Sequence, residues 1–191
     1  MDHLTTAALA TWQNFYVIAG SSAGALTGLQ FVVITLVTQA RTADDERNIH
    51  AFGTPTVIHF CTALLLSALM TAPWQSVPLL GAVLAACGLA GVAYCIRVFW
   101  HARHARYKPD LADWIWYLIL PPLAHLALLA GALLVYSGTP WSLVPIAADV
   151  FVFLLLGVHN SWDTVTFLAI QHAARAADPT PQPALREPVQ H

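Results

Sequence analysis

The amino-acid sequence predicts an all-α, polytopic membrane protein, a bundle of five transmembrane helices. Hydrophobic residues make up 58% of the chain and charged residues 9%, against about 45–50% and about 25% in soluble domains. The eight Lys and Arg residues leave residues 1–40, 48–96 and 109–174 without a basic side chain, and apolar segments fill these gaps. A chain with so few charges cannot cover a water-exposed surface. We therefore expect a lipid bilayer to surround it.

The basic residues lie in three clusters, and each pair of clusters brackets two apolar stretches. Positive residues favour the cytoplasmic side of a membrane, so this spacing predicts an odd number of crossings, an extracytoplasmic N-terminus and a cytoplasmic C-terminus. No positively charged leader with a cleavage site is visible, and we expect a retained N-terminus in a multi-pass protein of the cell (inner) membrane. The clusters are Arg41 and Arg47; Arg97, Arg103, Arg106 and Lys108; and Arg175 and Arg186.

Five segments reach the length of about 20 apolar residues that a hydrocarbon core about 30 Å thick requires. Tryptophans near the predicted ends, such as Trp114 and Trp116 at the inner end of the fourth span, are typical of the aromatic belts of membrane proteins. Short connections between the spans predict a single domain, residues 1–176. The predicted spans are residues 15–37, 56–74, 78–100, 111–136 and 141–173.

The segments between and after the spans differ in character. Residues 41–50 carry four consecutive acidic or basic side chains and are expected to form a solvated inner connector. The outer turns at residues 75–78 and 137–140 are short and uncharged. Residues 177–191 hold four prolines among few apolar residues, a composition that predicts a disordered cytoplasmic tail.

Gly20, Gly24 and Gly28 form a double GxxxG pattern in the first span. Small residues at every fourth position let two helix backbones approach closely, which is how helices associate in lipid. The pattern predicts either a contact with another span of the same chain or an oligomer axis formed by copies of the first span. A homo-oligomer, or a complex with a partner membrane subunit, is therefore expected. Cys87, Gly91 and Cys95 form a second small face, on the third span, which we interpret as plain packing.

The fifth span carries a stripe of polar residues on one face. At 100° per residue, the five side chains share an arc of about 140°. Such a stripe must face other helices or water, since an ionisable group at the bilayer centre costs at least about 2.5–3.5 kcal/mol. His159 and Asp163 are four residues apart and can pair within one turn. The stripe consists of Asp149, His159, Asn160, Asp163 and Thr164.

Other spans contribute two histidines and a glutamine. His59 lies in the first turns of the second span, and His125 follows Pro121 and Pro122 in the fourth. Two prolines remove two backbone donors and kink a helix, so the carbonyls one turn earlier need a partner such as His125 or a water molecule. The alternative is a kinked helix with a histidine that only packs. Gln30 lies away from the glycine stripe and is expected to donate an interhelical hydrogen bond.

These residues predict a membrane protein that handles protons or cations, as a channel or a small transporter subunit. Histidine titrates nearest to neutral pH and a carboxylate can orient it, which is the chemistry of a proton relay. About 21 Å of helix axis separates Asp149, the outer acceptor, from Asp163, the inner one, so the apolar residues 154–158 must be bypassed. The polar path comprises Asp149, His159, Asn160, Asp163, His59, His125 and Gln30.

Two alternatives stay open. His59, His125 and His159 are candidate ligands of haem b or a metal ion between helices, although no two share a helix at a ligand spacing. A noncatalytic accessory or assembly protein would instead use its polar residues to hold helices together.

Other classes of function are excluded or poorly matched. A net charge of −2 does not favour nucleic acid as a partner. The three cysteines lie in apolar segments without CxxC spacing, which favours packing. No HExxH or GxSxG motif occurs, and we expect no enzymatic activity, no catalytic residue and no resident cofactor in the leading interpretation.

Overall fold

A computed structural model describes residues 6–39, 43–102 and 114–177, and the side chains within residues 8–35, 56–100, 114–166 and 169–170. The described residues form five helices and no strand, which confirms the all-α prediction. The start of the predicted fourth span at 111–113 and the predicted tail from residue 178 onwards lie outside the described residues. So do the basic residues Arg41, Arg103, Arg106, Lys108 and Arg186.

The helices extend further than their apolar parts. Their bounds are α1, Thr6–Gln39; α2, Ala43–Thr71; α3, Val77–Ala102; α4, a π-helical start at Trp114–Ile119 that continues as an α-helix over Leu120–Tyr136; and α5, Leu143–Ala177. The wider π-helical turn lies immediately before Pro121 and Pro122, where the chain loses two backbone donors.

Four helices contain segments long and apolar enough to cross a membrane. These segments are Ala8–Thr35, Val77–Trp100, Trp114–Tyr136 and Leu143–Thr166. The apolar part of α2, Thr56–Thr71, is shorter. The residues before it in α2 include Asp44, Asp45, Glu46 and Arg47, which limit the apolar run.

The helices differ in extent from the predicted membrane spans. The expected connector at residues 41–50 is helical from Ala43 onwards, and α1 begins at Thr6 rather than near residue 15. The second helix ends at Thr71 rather than at residue 74, and α5 reaches Ala177, the first residue of the predicted tail. Apolar composition gives the segment that lipid can cover, whereas polar residues also form helix and extend these elements beyond it.

The helices run alternately up and down. Gly20 and Gly24 of α1 meet Ser67 and Leu64 of α2, so these two helices are antiparallel. The same order relates α3 to α4, where Gly81 meets Tyr136 and Gly91 meets His125. We call the end that contains residues 72–76 and 137–142 the turn end, and the opposite end the connector end.

Helix α5 lies at the centre of the bundle. It packs against α1, α2 and α4, whereas α3 packs mainly against α4 and scarcely touches α2. Tyr16 of α1 donates a hydrogen bond to the carbonyl of Leu143 at the turn end, and Ser161 of α5 bonds Gln30 of α1 at the connector end. Gly138 adopts a φ of 71° between α4 and α5, a conformation in which a glycine has no Cβ penalty.

Candidate functional site

One face of α5 is buried from the start of the helix to Asn160. Residues spaced alternately three and four apart share one side of a helix, and the members of this row are at most 4% exposed. Polar and apolar side chains both occur in the row, which also includes Ser142 just before the helix. The buried face of α5 consists of Ser142, Ile146, Asp149, Phe153, Leu156 and Asn160.

Asp149 is the carboxylate of this face. Its side chain is buried, and its Oδ2 atom has no hydrogen-bond partner among the described residues. A carboxylate in a membrane helix turns inward because hydrocarbon cannot solvate it, and such residues are candidates for ion or proton pathways. Asp149 lies one helical turn from Phe153 on the same face, which places it next to the histidine pair described below.

His59 of α2 and His125 of α4 both pack against the ring of Phe153. The His59 ring is stacked on Phe153 with centroids 6.2 Å apart, and the His125 ring is tilted against it at 4.7 Å. Each imidazole is 2% exposed, and all four ring nitrogens lack a hydrogen-bond partner among the described residues. The bundle therefore brings two buried, titratable rings to the middle of the apolar segment of α5, Leu143–Thr166.

Glycines make room for this pair. The position of a Cβ on Gly91 of α3 would collide with the His125 ring, and one on Gly157 of α5 would collide with the ring of Phe60, the neighbour of His59. Only a residue without a side chain allows these rings to lie so close to the helix backbones. Gly91 was predicted to be a packing residue of α3, and its contact is with a candidate site residue.

A small cavity lies beside His59, where α2, α3 and α4 meet. Its volume is about 20 Å³. The walls include an imidazole, a phenol and a thiol, and the fourth helix contributes the segment around its two prolines. The principal lining residues are His59, Tyr94, Cys95, Leu118, Pro121 and Pro122.

Asn160 and Gln30 lie towards the connector end. Asn160 is fully buried, and neither its Oδ1 nor its Nδ2 has a partner among the described residues. The hydroxyl of Ser161 donates a hydrogen bond of 3.0 Å to Oε1 of Gln30. Gln30 thus makes the interhelical bond that the sequence predicted, although through its acceptor oxygen and not as a donor.

His159 and Asp163 form a more exposed pair. His159 Nδ1 lies 3.9 Å from Asp163 Oδ2, and their side chains are 31% and 44% exposed. The His159 ring stacks on Trp116 of α4 with centroids 3.6 Å apart. Trp116 had been interpreted as a residue of an aromatic belt, and its contact instead fixes the plane of an imidazole. Thr164 donates its hydroxyl to the carbonyl of Asn160, within its own helix.

The structure thus brings some predicted site residues together and separates others. His59 and His125 lie at the level of Phe153 on α5, and Asp149 lies one helical turn away. His159 and Asp163 lie nearer the connector end, where His159 stacks on Trp116. Sequence reasoning missed Phe153 and Trp116, because aromatic residues in apolar helices ordinarily indicate packing or a belt. Phe153 lies four residues after Asp149 and seven before Asn160. This spacing places it on the same helix face as both polar residues and could have identified it.

The geometry gives little support to the haem or metal alternative. Among the side chains that the structure describes, no three His, Cys, Asp or Glu residues are grouped as metal ligands would be. The Phe153 ring packs against both His59 and His125. The cavity beside His59 is about 20 Å³, whereas pockets for ligands of drug size are roughly 300–1,000 Å³. Among the described residues, the cavity beside His59 is thus much smaller than a pocket for a ligand of that size.

Comparison with known proteins adds no further constraint. No protein-family model matches the chain, and neither does a curated protein or a solved structure. The functional argument therefore depends on the chemistry and geometry of the residues themselves.

Proposed function

We propose that this chain is an integral membrane protein that conducts protons or small cations, as a channel or a small transporter subunit, with five membrane-spanning helices. The observation that carries the proposal is the position of His59 and His125 against Phe153, between Asp149 and Asn160 on the buried face of α5. Intramembrane carboxylates and histidines that face a bundle interior are the usual components of proton relays.

The histidine pair addresses the main difficulty of a path along α5 alone. Asp149 and Asp163 are separated by about 21 Å of helix axis, and residues 154–158 between them are apolar apart from one glycine. His59 and His125 come from other helices and lie about 6 Å along the axis from Asp149, at the level of Phe153. About 9 and 10.5 Å further along the axis lie His159 and Asn160, followed by Asp163. Side chains of three helices thus shorten each step of the path.

The predicted orientation gives the path a direction. Asp149 belongs to the half of α5 near the turn end, and Asp163 to the half near the connector end. With an extracytoplasmic N-terminus, Asp149 is the outer acceptor and Asp163 the inner one. The half-exposed His159 and Asp163 pair is accordingly the group that exchanges with the cytoplasm.

The proposal is tested by flux into liposomes that contain the purified protein. A pH-sensitive dye inside the vesicles reports proton entry under imposed pH and alkali-cation gradients. We expect the native chain to dissipate a pH gradient, and Asp149→Asn to slow the flux by roughly 100-fold, because a group that transfers protons contributes about 10²–10⁴-fold to the rate. Asp178→Asn makes the same chemical change in the predicted tail and serves as the matched control.

Two results would contradict the proposal. Absence of flux through the native chain under every gradient would discard it, and so would an unchanged rate in Asp149→Asn. If that variant lowers only thermal stability, the polar residues hold the helices together and the chain is an accessory or assembly protein. A Soret band in the visible spectrum of the purified protein would instead restore the haem alternative, despite the small cavity.

A further inference from the structure

The cavity beside His59 lies outside the row of residues on α5 and has its own chemistry. It is bounded by α2, α3 and α4, at a place where α2 and α3 scarcely touch each other. Its volume of about 20 Å³ exceeds the roughly 10–15 Å³ that one water molecule requires. The cavity is therefore large enough to hold one water molecule.

Polar groups surround this space. His59 lines the cavity, is 2% exposed and has no partner for either ring nitrogen among the described residues. Leu118 also lines the cavity, and the ordinary helical donor to its carbonyl would be the nitrogen of Pro122, which carries no hydrogen. Cys95 adds a weak donor and acceptor. A buried water typically needs two to four such partners, and an imidazole offers one donor and one acceptor.

We propose that this cavity is a binding site for water, bound to His59, and that it is the place where water reaches the buried histidine pair through the gap between α2 and α3. As an entry point for protons the site rests on the proposed function, but the binding of water itself does not. Bound water next to His59 satisfies a ring nitrogen that the surrounding helices leave without a partner, and it supplies the proton donor or acceptor that a relay requires.

The chain contains a matched pair of reporters. Cys95 lines the cavity, and Cys61 is exposed on α2, two residues after His59. Each lies five residues from the connector end of its apolar segment, Cys61 after Thr56 and Cys95 before Trp100. In a bilayer an exposed residue of an apolar segment faces lipid, so the two thiols sit at similar depth in different surroundings.

Radiolytic footprinting distinguishes these surroundings. X-rays convert water to hydroxyl radicals where the water is bound, and the radicals oxidise the nearest reactive side chains, which mass spectrometry of the full-length protein in lipid nanodiscs then identifies. We expect Cys95 to be oxidised roughly fivefold faster than Cys61, since only Cys95 adjoins bound water, and we expect Tyr94 to be oxidised as well. Exposure in ¹⁸O water after rapid mixing measures how fast this water exchanges with bulk.

Two variants connect the signal to His59. His59→Leu removes the polar partner, and the oxidation of Cys95 is expected to fall to the level of Cys61. His59→Gln keeps a donor and an acceptor and is expected to retain most of the signal, which guards against an effect of misfolding in the leucine variant. Equal oxidation of Cys95 and Cys61 in the native chain would overturn the water site, as would full signal in a folded His59→Leu.

The result is independent of flux. Oxidation of Cys95 in a protein that conducts no protons would support the water site and reject the proposed function. Proton flux without oxidation of Cys95 would support the proposed function and reject the water site.

Discussion

The glycines of α1 and those of α3 differ in how closely neighbouring helices pack against them. Gly20, Gly24 and Gly28 are regularly spaced and stand out in the sequence, but only Gly20 is in tight contact, with its Cβ position 2.9 Å from Cβ of Ser67. Gly24 is 4.0 Å from Leu64, and Gly28 meets nothing within 4 Å. Regular spacing tells which residues share a face, and it does not tell whether another backbone lies against that face.

On α3 the glycines are irregularly spaced and closely packed. A Cβ on Gly81 would lie 2.5 Å from the backbone nitrogen of Tyr136, and one on Gly88 would lie 3.2 Å from that of Leu129. Gly91 adjoins the His125 ring. Because α3 packs mainly against α4, its attachment depends on close approach to that one helix, which small residues permit. Helix α3 is therefore held against α4 at glycines whose spacing does not form a recognisable motif in the sequence.

The largest effect is expected for Gly81→Ala. The added methyl group meets backbone atoms of α4, which no rotation of a side chain can move, so α3 and α4 must separate. We expect the free energy of unfolding to fall by about 3 kcal/mol, the upper part of the range for overpacked cores. Unfolding of the protein in mixed micelles measures this loss, and an effect below about 1 kcal/mol would mean that the two helices are not in such close contact.

A smaller loss of stability is expected for Gly91→Ala, and its cause can be tested. Here the methyl group meets a side chain, the His125 ring, and we expect a loss of about 1–2 kcal/mol. The loss should almost vanish when the alanine is introduced into His125→Ala, because the ring that it displaces is then absent. A double-mutant cycle measures this coupling. If the losses of stability in Gly91→Ala and His125→Ala are additive, the methyl group does not act through the His125 ring. Gly91 would then not differ from Gly81 in the kind of contact it makes.

The smallest effect is expected for Gly28→Ala, within about 0.5 kcal/mol, because nothing lies within 4 Å of the new methyl group. Gly28→Leu sharpens the result, since a large side chain is tolerated on a face in lipid but not at an oligomer axis. Crosslinking and mass measurement in native-like lipid report the oligomeric state. A shift of that state in Gly28→Leu would show that copies of α1 meet at this glycine and would reverse the comparison.

Much of the fold could be predicted from the sequence because lipid imposes a local requirement. A segment with the apolarity of Val77–Trp100 or Leu143–Thr166 is recognisable from its own residues. Helices α1 and α2 begin before the predicted spans because residues outside an apolar run also form helix. The site was harder. Asp149 and Asn160 could be assigned to one inward face by helical period, whereas the partners of His59 and His125 depend on how separate helices pack.

The sequence by itself determined that the chain is built of apolar helices and that Asp149 and Asn160 lie on one side of α5. Both follow from composition and from the 3.6-residue period, which are properties of each segment alone. Only the tertiary structure decided that His59 and His125 meet at Phe153, that Trp116 covers His159, and that α3 rather than α1 carries the tightest glycines. These outcomes depend on complementary shape between helices far apart in the chain, which no local pattern encodes.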